Sequence, residues 1–262
     1  MLNHDMNDWN LDTSKPGQTI QIMNDFAKSG KPEGPDGTQW IDGTHPFSTR
    51  FQDNYYSRTD GQSETRHVFL DGNKLAERMA ASRHFTIAEL GFGTGLNYLE
   101  TVRLWRSLAH PGMRLTYVSF ELYPLSRGEM SLALSSWPDI AALAGPLVDT
   151  WHPDLEILEL EHAPDVALTL FMSDANIRLP QLEFEADAWF LDGFAPSRNP
   201  QMWNETLIGE VFRHTRPGGT FATYTAAGWV RRNLQSAGFH VTRQKGHAGK
   251  REMMVGTRPL ET

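Results

Sequence analysis

Cysteine is absent from this chain of 262 residues. Disulfides and thiolate-bound metals are therefore excluded, and the absence suits a reducing compartment. Long apolar runs are also lacking, since none approaches the roughly 20 residues that cross a bilayer. The first ten residues are polar and acidic, unlike a signal or transit peptide. We therefore expect a cytoplasmic protein without a membrane segment.

Positive charge is scarce overall but unevenly distributed. The chain has 24 Lys and Arg against 32 Asp and Glu, a net charge of −8. Residues 1–197 hold 14 of these cations and 28 anions, whereas residues 198–262 hold 10 cations and 4 anions. A basic final quarter is compatible with one face contacting phosphates. Solvated helix faces would explain the same pattern equally well.

Regular patterns are missing from the N-terminus. Residues 1–37 are rich in Asn, Asp, Gly, Pro, Lys and Ser and show no sustained apolar period. We predict a disordered tail there, with one short helix at residues 19–27. The folded domain should span residues 38–262, with an N-terminal lead-in at 38–80 and the core at 81–262.

Strand-like and helix-like segments alternate through that domain, which predicts a mostly parallel sheet with helices on both faces. The last two strands have no helix between them, so they should pair antiparallel. We therefore expect a Rossmann-like α/β fold with an antiparallel edge strand, and ligands beyond the carboxyl ends of its strands. The predicted strands are 85–88, 114–121, 155–161, 166–172, 187–191, 220–225, 239–244 and 252–256. We expect 155–161 and 166–172 to form a hairpin. The predicted helices are 75–79, 96–108, 125–137, 202–215 and 227–237, with 64–70 read as a strand or a strand-to-helix lead-in and 217–219 as a turn.

The run ELGFGTGLN at residues 89–97 lies between a predicted strand and a predicted helix, as in nucleotide-binding turns. Its glycines follow a Gly-x-Gly-x-Gly spacing, and Leu96 stands where a dinucleotide motif needs its third glycine. Glu89 precedes the first glycine by two residues. A carboxylate there suits the sulfonium and ammonium groups of S-adenosylmethionine and would repel a pyrophosphate. The alternative is a glycine turn without a ligand.

Four acids fall at predicted strand ends: Glu89, Glu121, Asp174 and Asp192. Glu121 follows the strand after the glycine turn, where its carboxylate can accept hydrogen bonds from both ribose hydroxyls. Asp174 can accept from an adenine amino group, while Ala175 offers a backbone N–H to the ring. Each acid taken alone could equally be a turn or helix-cap residue. The set of four would require several such coincidences.

The run DGFAP at residues 192–196 is placed to hold a methyl acceptor. Asp192 can orient an amine and ease away its proton, which an amine with a pKa of roughly 10 must lose before it attacks. The ring of Phe194 can pack on a flat base. The alternative is a tight turn with Phe194 in the core.

Other candidates carry weaker signals. Four aromatics can line a base pocket, although core packing is the expected role of at least two of them: Phe47, Tyr55, Tyr56 and Trp229. Four basic residues can contact phosphates or remain solvated: Arg231, Arg232, Lys250 and Arg251. The ten histidines show no metal-ligand spacing and no P-loop is present, so we expect no metal site.

Several motifs together resemble one enzyme family in order and spacing over about residues 40–256. That family is the tRNA 5-methylaminomethyl-2-thiouridine-forming methyltransferase, the N-terminal half of a bifunctional enzyme. The resemblance implies methyl transfer from S-adenosylmethionine to the aminomethyl group of the wobble uridine in the tRNA anticodon loop. The motifs are YYS (55–57), ETRHVFL (64–70), ELGFGTGLN (89–97), SFE (119–121), DAWFLDGFAP (187–196), NPQMW (199–203), RPGGT (216–220) and GKREM (249–253).

The same resemblance implies roles for individual residues. Asp192 and Phe194 would face the acceptor amine and base, and Glu64 and Thr65 would close over the methionine end of the cofactor. The bifunctional enzyme continues into a flavin-dependent oxidase, but no flavin fingerprint is present here. We therefore expect no FAD and a separate source of the amine. The remaining cofactor-binding residues would be Glu89, Gly91, Gly93, Thr94, Gly95, Asn97, Glu121, Asp174 and Ala175.

Three rival functions stay open at this point. One is an S-adenosylmethionine-dependent N-methyltransferase acting on a protein or small-molecule amine. Another is an NAD-dependent oxidoreductase, which Leu96 opposes. The third is a non-catalytic RNA-binding module that has kept the fold.

Overall fold

The computed structural model describes residues 37–58, 60–247 and 252–260. The predicted tail, apart from residue 37, lies outside the described residues, and so does its predicted helix at 19–27. Lys250 and Arg251 also lie outside them.

The strands of the described residues form two sheets. A small antiparallel sheet contains β1 (Thr38–Ile41), β2 (His45–Ser48) and β3 (Asp53–Asn54). The main sheet has the order β10-β11-β9-β8-β4-β5-β7-β6. Its strands are β4 (His84–Leu90), β5 (Arg114–Phe120), β6 (Ile157–Ala163), β7 (Val166–Phe171), β8 (Ala186–Leu191), β9 (Thr215–Thr223), β10 (His240–Lys245) and β11 (Glu252–Thr257).

The centre of the main sheet is parallel and its margins are reversed. Strands β7, β5, β4, β8 and β9 pair parallel to one another. Strand β6 is the antiparallel strand at one edge, and β11 runs antiparallel between β10 and β9 near the other. The predicted Rossmann-like sheet is thus confirmed, together with the hairpin of β6 and β7. Every residue of β8 is buried, as a central strand covered on both faces requires.

Helices cover both faces of this sheet. On one face α2, α3, α4 and α5 pack against Ile87 and Phe190. On the other face α6, α7 and α8 pack against Trp189 and Leu191. Successive residues of β8 therefore serve opposite cores, as the alternation of a strand dictates. The helices are α1 (Gly61–Thr65), α2 (Leu75–Ala80), α3 (Leu96–Leu108), α4 (Arg127–Leu134), α5 (Ala141–Thr150), α6 (Ala175–Arg178), α7 (Glu205–Arg213) and α8 (Gly228–Ala237).

The lead-in differs from its prediction. Residues 64–70 are helical, since α1 runs into a π-helical segment, Arg66–Asp71. The carboxylate of Asp60 caps α1 by accepting from the N–H of Ser63 (2.9 Å). Val68, Phe69 and Leu70 are all buried, and such a short apolar run does not distinguish a strand from a buried helix.

Two further segments depart from the sequence prediction. The predicted turn at residues 217–219 lies within β9, as an irregularity in its pairing with β8 between Ala186 and Ala188. Helix α5 was not predicted, because Pro146 within it is typical of a helix boundary.

A buried carboxylate joins the lead-in to the core. Glu100 of α3 is fully buried. Its Oε2 accepts from Nε of Arg66 (2.7 Å) and from Nη2 of Arg103 (2.8 Å). Its Oε1 accepts from Nε2 of Gln62 (3.0 Å). These bonds fix α1 and the π-helical segment against α3.

Replacing Glu100 by Ala should therefore lower the free energy of unfolding by about 2–3 kcal/mol, because three donor side chains lose a shared acceptor. Arg66 and Arg103 are partly exposed, so hydrogen bonds to water replace some of the lost bonds. The matched control is Asp149→Ala, which breaks the exposed pair with Arg127 and should cost at most about 1 kcal/mol. Urea unfolding measures both. Equal losses in the two variants would contradict a joining role for Glu100.

Candidate active site

Two adjoining cavities lie beyond the carboxyl ends of the parallel strands. They measure about 220 and 330 Å³. We name them the Asp192 cavity and the Asp174 cavity after a residue in each wall. Gly91, Glu121 and Phe194 border both. The crevice lies where β4 has β5 on one side and β8 on the other, which is the switch point at which such sheets bind ligands.

The glycine turn brings backbone close to this crevice. Gly91 has φ +85° and its N–H donates to the carbonyl of Phe120 (3.0 Å). A Cβ at Gly91 would lie 3.0 Å from the carbonyl oxygen of Asp192. Only glycine combines this dihedral with this approach, so the turn and the loop after β8 form one wall.

Glu121 is held at the junction of the two cavities. Its Oε2 accepts from the N–H of Gly93 (2.8 Å), and its Oε1 accepts from the N–H of Tyr123 (2.8 Å). These two bonds fix the Glu121 carboxylate where it borders both cavities. Its role as acceptor for the two ribose hydroxyls stays a prediction.

Asp174 caps a helix and also borders a cavity. The sequence had left open whether it was a cap residue or an adenine-binding residue. Its Oδ1 accepts from the N–H of Asn176 (2.8 Å) and so caps α6. Asp174 also borders the Asp174 cavity, together with Ala175. Capping fixes the carboxylate at the cavity wall.

A hydrogen-bond network surrounds Asp192 at the end of β8. Oδ1 of Asp192 accepts from the N–H of Gly193 (2.8 Å), and Oδ2 accepts from Nδ2 of Asn97 (2.8 Å). The same Nδ2 donates to Oε1 of Glu89 (2.9 Å). The hydroxyl of Thr65 donates to Oδ1 of Asn97 (2.8 Å). One amide thus links three segments that are distant in sequence.

Glu89 lies beneath the cavities rather than in their walls. It is 0% exposed and borders neither cavity. Burial raises its pKa to about 8, and the charge of Asp192 adds to the rise, while hydrogen bonds from Asn97 and Ser119 oppose it. The hydroxyl of Ser119 donates to its Oε2 (2.8 Å). Glu89 therefore supports the site from below.

Phe194 packs on the small sheet instead of entering the core. Its ring stacks on Phe51, with centroids 4.5 Å apart and an interplanar angle of 20°. Tyr55 meets it edge-on at 5.2 Å. The N–H of Ala195 donates to Asp53 (2.9 Å), and Nη1 of Arg198 donates to the carbonyls of Phe51 and Gln52. The small sheet is thereby attached to the loop that carries Asp192.

Two residues that border the Asp192 cavity escaped sequence analysis, Asp53 and Tyr224. The base-pocket candidate Tyr55 borders the same cavity. The hydroxyl of Tyr224 donates to the carbonyl of Gly193 (2.6 Å), and burial raises the pKa of Tyr224 well above its usual value. Asp53 lies within the run of aromatics and polar residues at 47–56, whereas no local pattern marks Tyr224.

The remaining predicted residues divide according to whether they border a cavity. Those that border the Asp192 cavity are Tyr56, Glu64, Thr65, Gly93, Thr94 and Asn97. Those that border neither cavity are Phe47, Gly95, Trp229, Arg231 and Arg232. Gly95 is the N-cap of α3, with φ +79°. Within the described residues there is no group of His, Cys, Asp and Glu suited to a metal, and no helix long and apolar enough to cross a membrane.

This chain matches a family model, a set of curated proteins and a solved structure. A family model described as S-adenosyl-L-methionine-dependent methyltransferase matches residues 138–259. The tRNA 5-methylaminomethyl-2-thiouridine biosynthesis bifunctional protein MnmC of Pseudomonas fluorescens is 45% identical over 223 residues, which are 83% of this chain and 34% of that protein. MnmC of Methylobacillus flagellatus matches with the same identity and coverage. The crystal structure of MnmC2 from Aquifex aeolicus superposes with a TM-score of 0.68 at 21% identity, covering 88% of this chain and 73% of that one.

The chain is therefore similar to S-adenosyl-L-methionine-dependent methyltransferases over residues 138–259, and it shares the fold of the MnmC2 structure. Its particular relatives are the MnmC proteins, so the resemblance seen in the sequence motifs is confirmed. The chain spans about a third of the length of these curated relatives.

The raised pKa of Glu89 makes stability depend on pH. Between pH 4.5 and about 8 the folded protein keeps a proton on Glu89 that the unfolded chain releases. Its contribution to stability is therefore complete below pH 4.5 and is lost as the pH rises through 8, by up to about 1.4 kcal/mol per pH unit. Glu89→Gln mimics the protonated acid and should lose this dependence.

Denaturant unfolding of the wild type and of Glu89→Gln across this pH range measures the effect. Glu161→Gln, at an exposed carboxylate paired with Arg114, is the control and should follow the wild type. Parallel pH curves for the wild type and Glu89→Gln would show that Glu89 ionises normally.

Proposed function

We propose that the protein transfers a methyl group from S-adenosylmethionine to the amine of 5-aminomethyl-(2-thio)uridine at the tRNA wobble position. The observation that carries the proposal is the wall of the Asp192 cavity. The carboxylate of Asp192 and the ring of Phe194 border that cavity together with the glycine turn and Glu121. An amine-orienting group and a cofactor-holding group thus border one crevice. The similarity to MnmC proteins supports the choice of the tRNA wobble nucleoside as substrate.

The residues present fit S-adenosylmethionine. Glu121 would take its ribose hydroxyls, and Asp174 with Ala175 would take its adenine in the Asp174 cavity. The methionine end would lie in the Asp192 cavity, near Glu64 and Thr94. The acidic walls suit a cationic ligand, and Leu96 replaces the third glycine of a dinucleotide site. When bound, the cofactor supplies an electrophilic methyl group on a sulfonium.

Asp192 has two tasks in this proposal. Its oxygens accept hydrogen bonds from Gly193 and Asn97, which hold the carboxylate at the wall of the Asp192 cavity. A substrate ammonium would donate to this carboxylate and lose a proton toward it, which leaves the nitrogen with a lone pair for attack on the methyl group. Alignment of amine and methyl supplies most of the rate. The exposed face of Phe194 would hold the base, since Phe51 covers the other.

Arginines at the mouth of the crevice support a tRNA partner. Arg50 and Arg198 border the Asp174 cavity, and Arg58 borders the Asp192 cavity. All three are exposed. Arg50 lies over the ring of Tyr123 at 4.5 Å, which holds its guanidinium at the mouth. These side chains lie closer to the chemistry than Arg231 and Arg232, and phosphates flanking the wobble nucleotide are their expected partners.

The proposal covers methyl transfer alone. Because the chain spans about a third of its MnmC relatives, a flavin-dependent step is not proposed for it. A tRNA substrate implies a cytoplasmic setting. Methylation of a protein or a small amine remains the rival outcome for the experiments below.

Asp192→Asn should keep the affinity for S-adenosylmethionine within about twofold and lower turnover by about 10²–10⁴-fold, because the amide cannot take the proton. The assay uses tRNA from a strain lacking this protein, with mass spectrometry of the wobble nucleoside. The comparison variant is Gly93→Val, which should lose cofactor binding itself, since Gly93 has φ +55°. Wild-type protein that leaves the aminomethyl nucleoside unchanged would refute the tRNA assignment.

Arg50→Gln should weaken tRNA binding and reduce the slope of log K against log salt by about 0.7–0.9, the value for one phosphate contact. Its affinity for S-adenosylmethionine should not change. Arg243→Gln is the matched control, because Arg243 lies on the edge strand β10 and pairs with Glu252 (3.0 Å). An unchanged salt slope in Arg50→Gln would remove Arg50 from the tRNA surface.

A further inference from the structure

We propose that Asn97, with its amide oriented by Thr65, is the positioning residue for the carboxylate of Asp192. This role differs from the cofactor contact that the sequence suggested for Asn97 and Thr65, and it rests on the proposed methyl transfer. The juxtaposition that carries it is the chain of hydrogen bonds from Thr65 through Asn97 to Asp192.

The orientation of the Asn97 amide is determined by its partners. Two carboxylates, Glu89 Oε1 and Asp192 Oδ2, lie 2.9 and 2.8 Å from Nδ2. The hydroxyl of Thr65 lies 2.8 Å from Oδ1. A rotated amide would place its oxygen against two carboxylates and forfeit the hydroxyl donor. The observed arrangement is therefore the one that pairs every polar atom with a suitable partner.

The amide in turn fixes Asp192. Gly193 N–H holds Oδ1 and Asn97 holds Oδ2, so both oxygens are restrained from different sides. The plane of the carboxylate, and hence the direction in which it faces the cavity, is set before substrate binds. Displacements near 1 Å at a reacting group cost about 10²-fold in rate, so such restraint has a large effect on turnover.

Asn97 also stands between Asp192 and the second carboxylate. The buried Glu89 shares its Nδ2, and the charge of Asp192 contributes to the raised pKa of Glu89. The amide gives the Asp192 carboxylate a donor on the side that faces Glu89. Without it, Oδ2 of Asp192 would lose its restraint on that side.

The network ties the acid to the lead-in. Thr65 ends α1, which Glu100 attaches to α3, and Asn97 lies in the first turn of α3. Both ends of the Thr65–Asn97 bond are therefore fixed to the same helix. Thr65 and Asn97 are 3% and 7% exposed, so water competes little for the bond.

Four variants test the inference. Thr65→Val removes the hydroxyl while keeping the shape, and Thr65→Ser restores it. Asn97→Ala removes the amide. Thr101→Val is the matched control, because the hydroxyl of Thr101 is equally buried and donates to the backbone carbonyl of Asn97 (2.8 Å) without touching its amide.

We expect Thr65→Val to lower kcat about tenfold and Asn97→Ala about 100-fold, with KM for tRNA and the Kd of S-adenosylmethionine within about twofold of wild type. Thr65→Ser should recover most of the turnover, and Thr101→Val should match the wild type in kcat. In Asn97→Ala the acidic limb of the pH profile should move to higher pH, because the carboxylate loses a donor that favours its charged form.

Two results would overturn the inference. A weaker Kd for S-adenosylmethionine at unchanged kcat would make Thr65 and Asn97 cofactor contacts. Equal kcat losses in Thr65→Val and Thr101→Val would show that the hydrogen bond from Thr65 has no specific effect on turnover. Exchange of the Asn97 side-chain amide protons, measured by NMR without substrate, tests the orientation independently of the proposed function. It should be slow in the wild type and in Thr101→Val and fast in Thr65→Val, and fast exchange in the wild type would also count against the inference.

Discussion

The interaction on which the site depends is the sharing of one amide by two carboxylates. Parallel strands end at one edge of the sheet, so acids at their ends come close together. Glu89 and Asp192 end neighbouring strands and would repel one another if both were charged and unpaired. The structure stabilises them differently: Glu89 is buried with a raised pKa, and Asp192 stays at the cavity wall. Asn97 donates to both, which makes this close approach possible.

The main sheet could be predicted from sequence because its strands have strong local patterns. The fully buried β8 and the helix 96–108 are examples, and the second was predicted with its observed bounds. The small sheet could not be predicted, since β3 has only two residues and its order depends on contacts with residues 195–198. Residues 64–70 were predicted as a strand or a strand-to-helix lead-in, because the consecutive burial of Val68, Phe69 and Leu70 hides the helical period.

Several residues that the sequence singled out border the crevice, and their roles stay predictions. A carboxylate at each strand end follows from the chain order, and Glu121 and Asp192 do border the crevice. Sequence spacing does not say how deep a side chain lies, so Glu89 was grouped with residues that meet the ligand. Likewise, the count of basic residues drew attention to the final quarter, whereas two of the three arginines at the mouth, at positions 50 and 58, come from the acidic part of the chain. Net charge over a segment carries no information about where the segment folds.

The π-helical segment Arg66–Asp71 has a consequence for how this chain can vary in length. A π-helical turn holds one residue more than an α-helical turn. Losing a single residue there would let the segment close into ordinary α geometry, while α1 before it keeps its direction and Thr65 keeps its bond to Asn97. This stretch is therefore a place where the gene can lose one codon and the encoded protein still holds its acid in line.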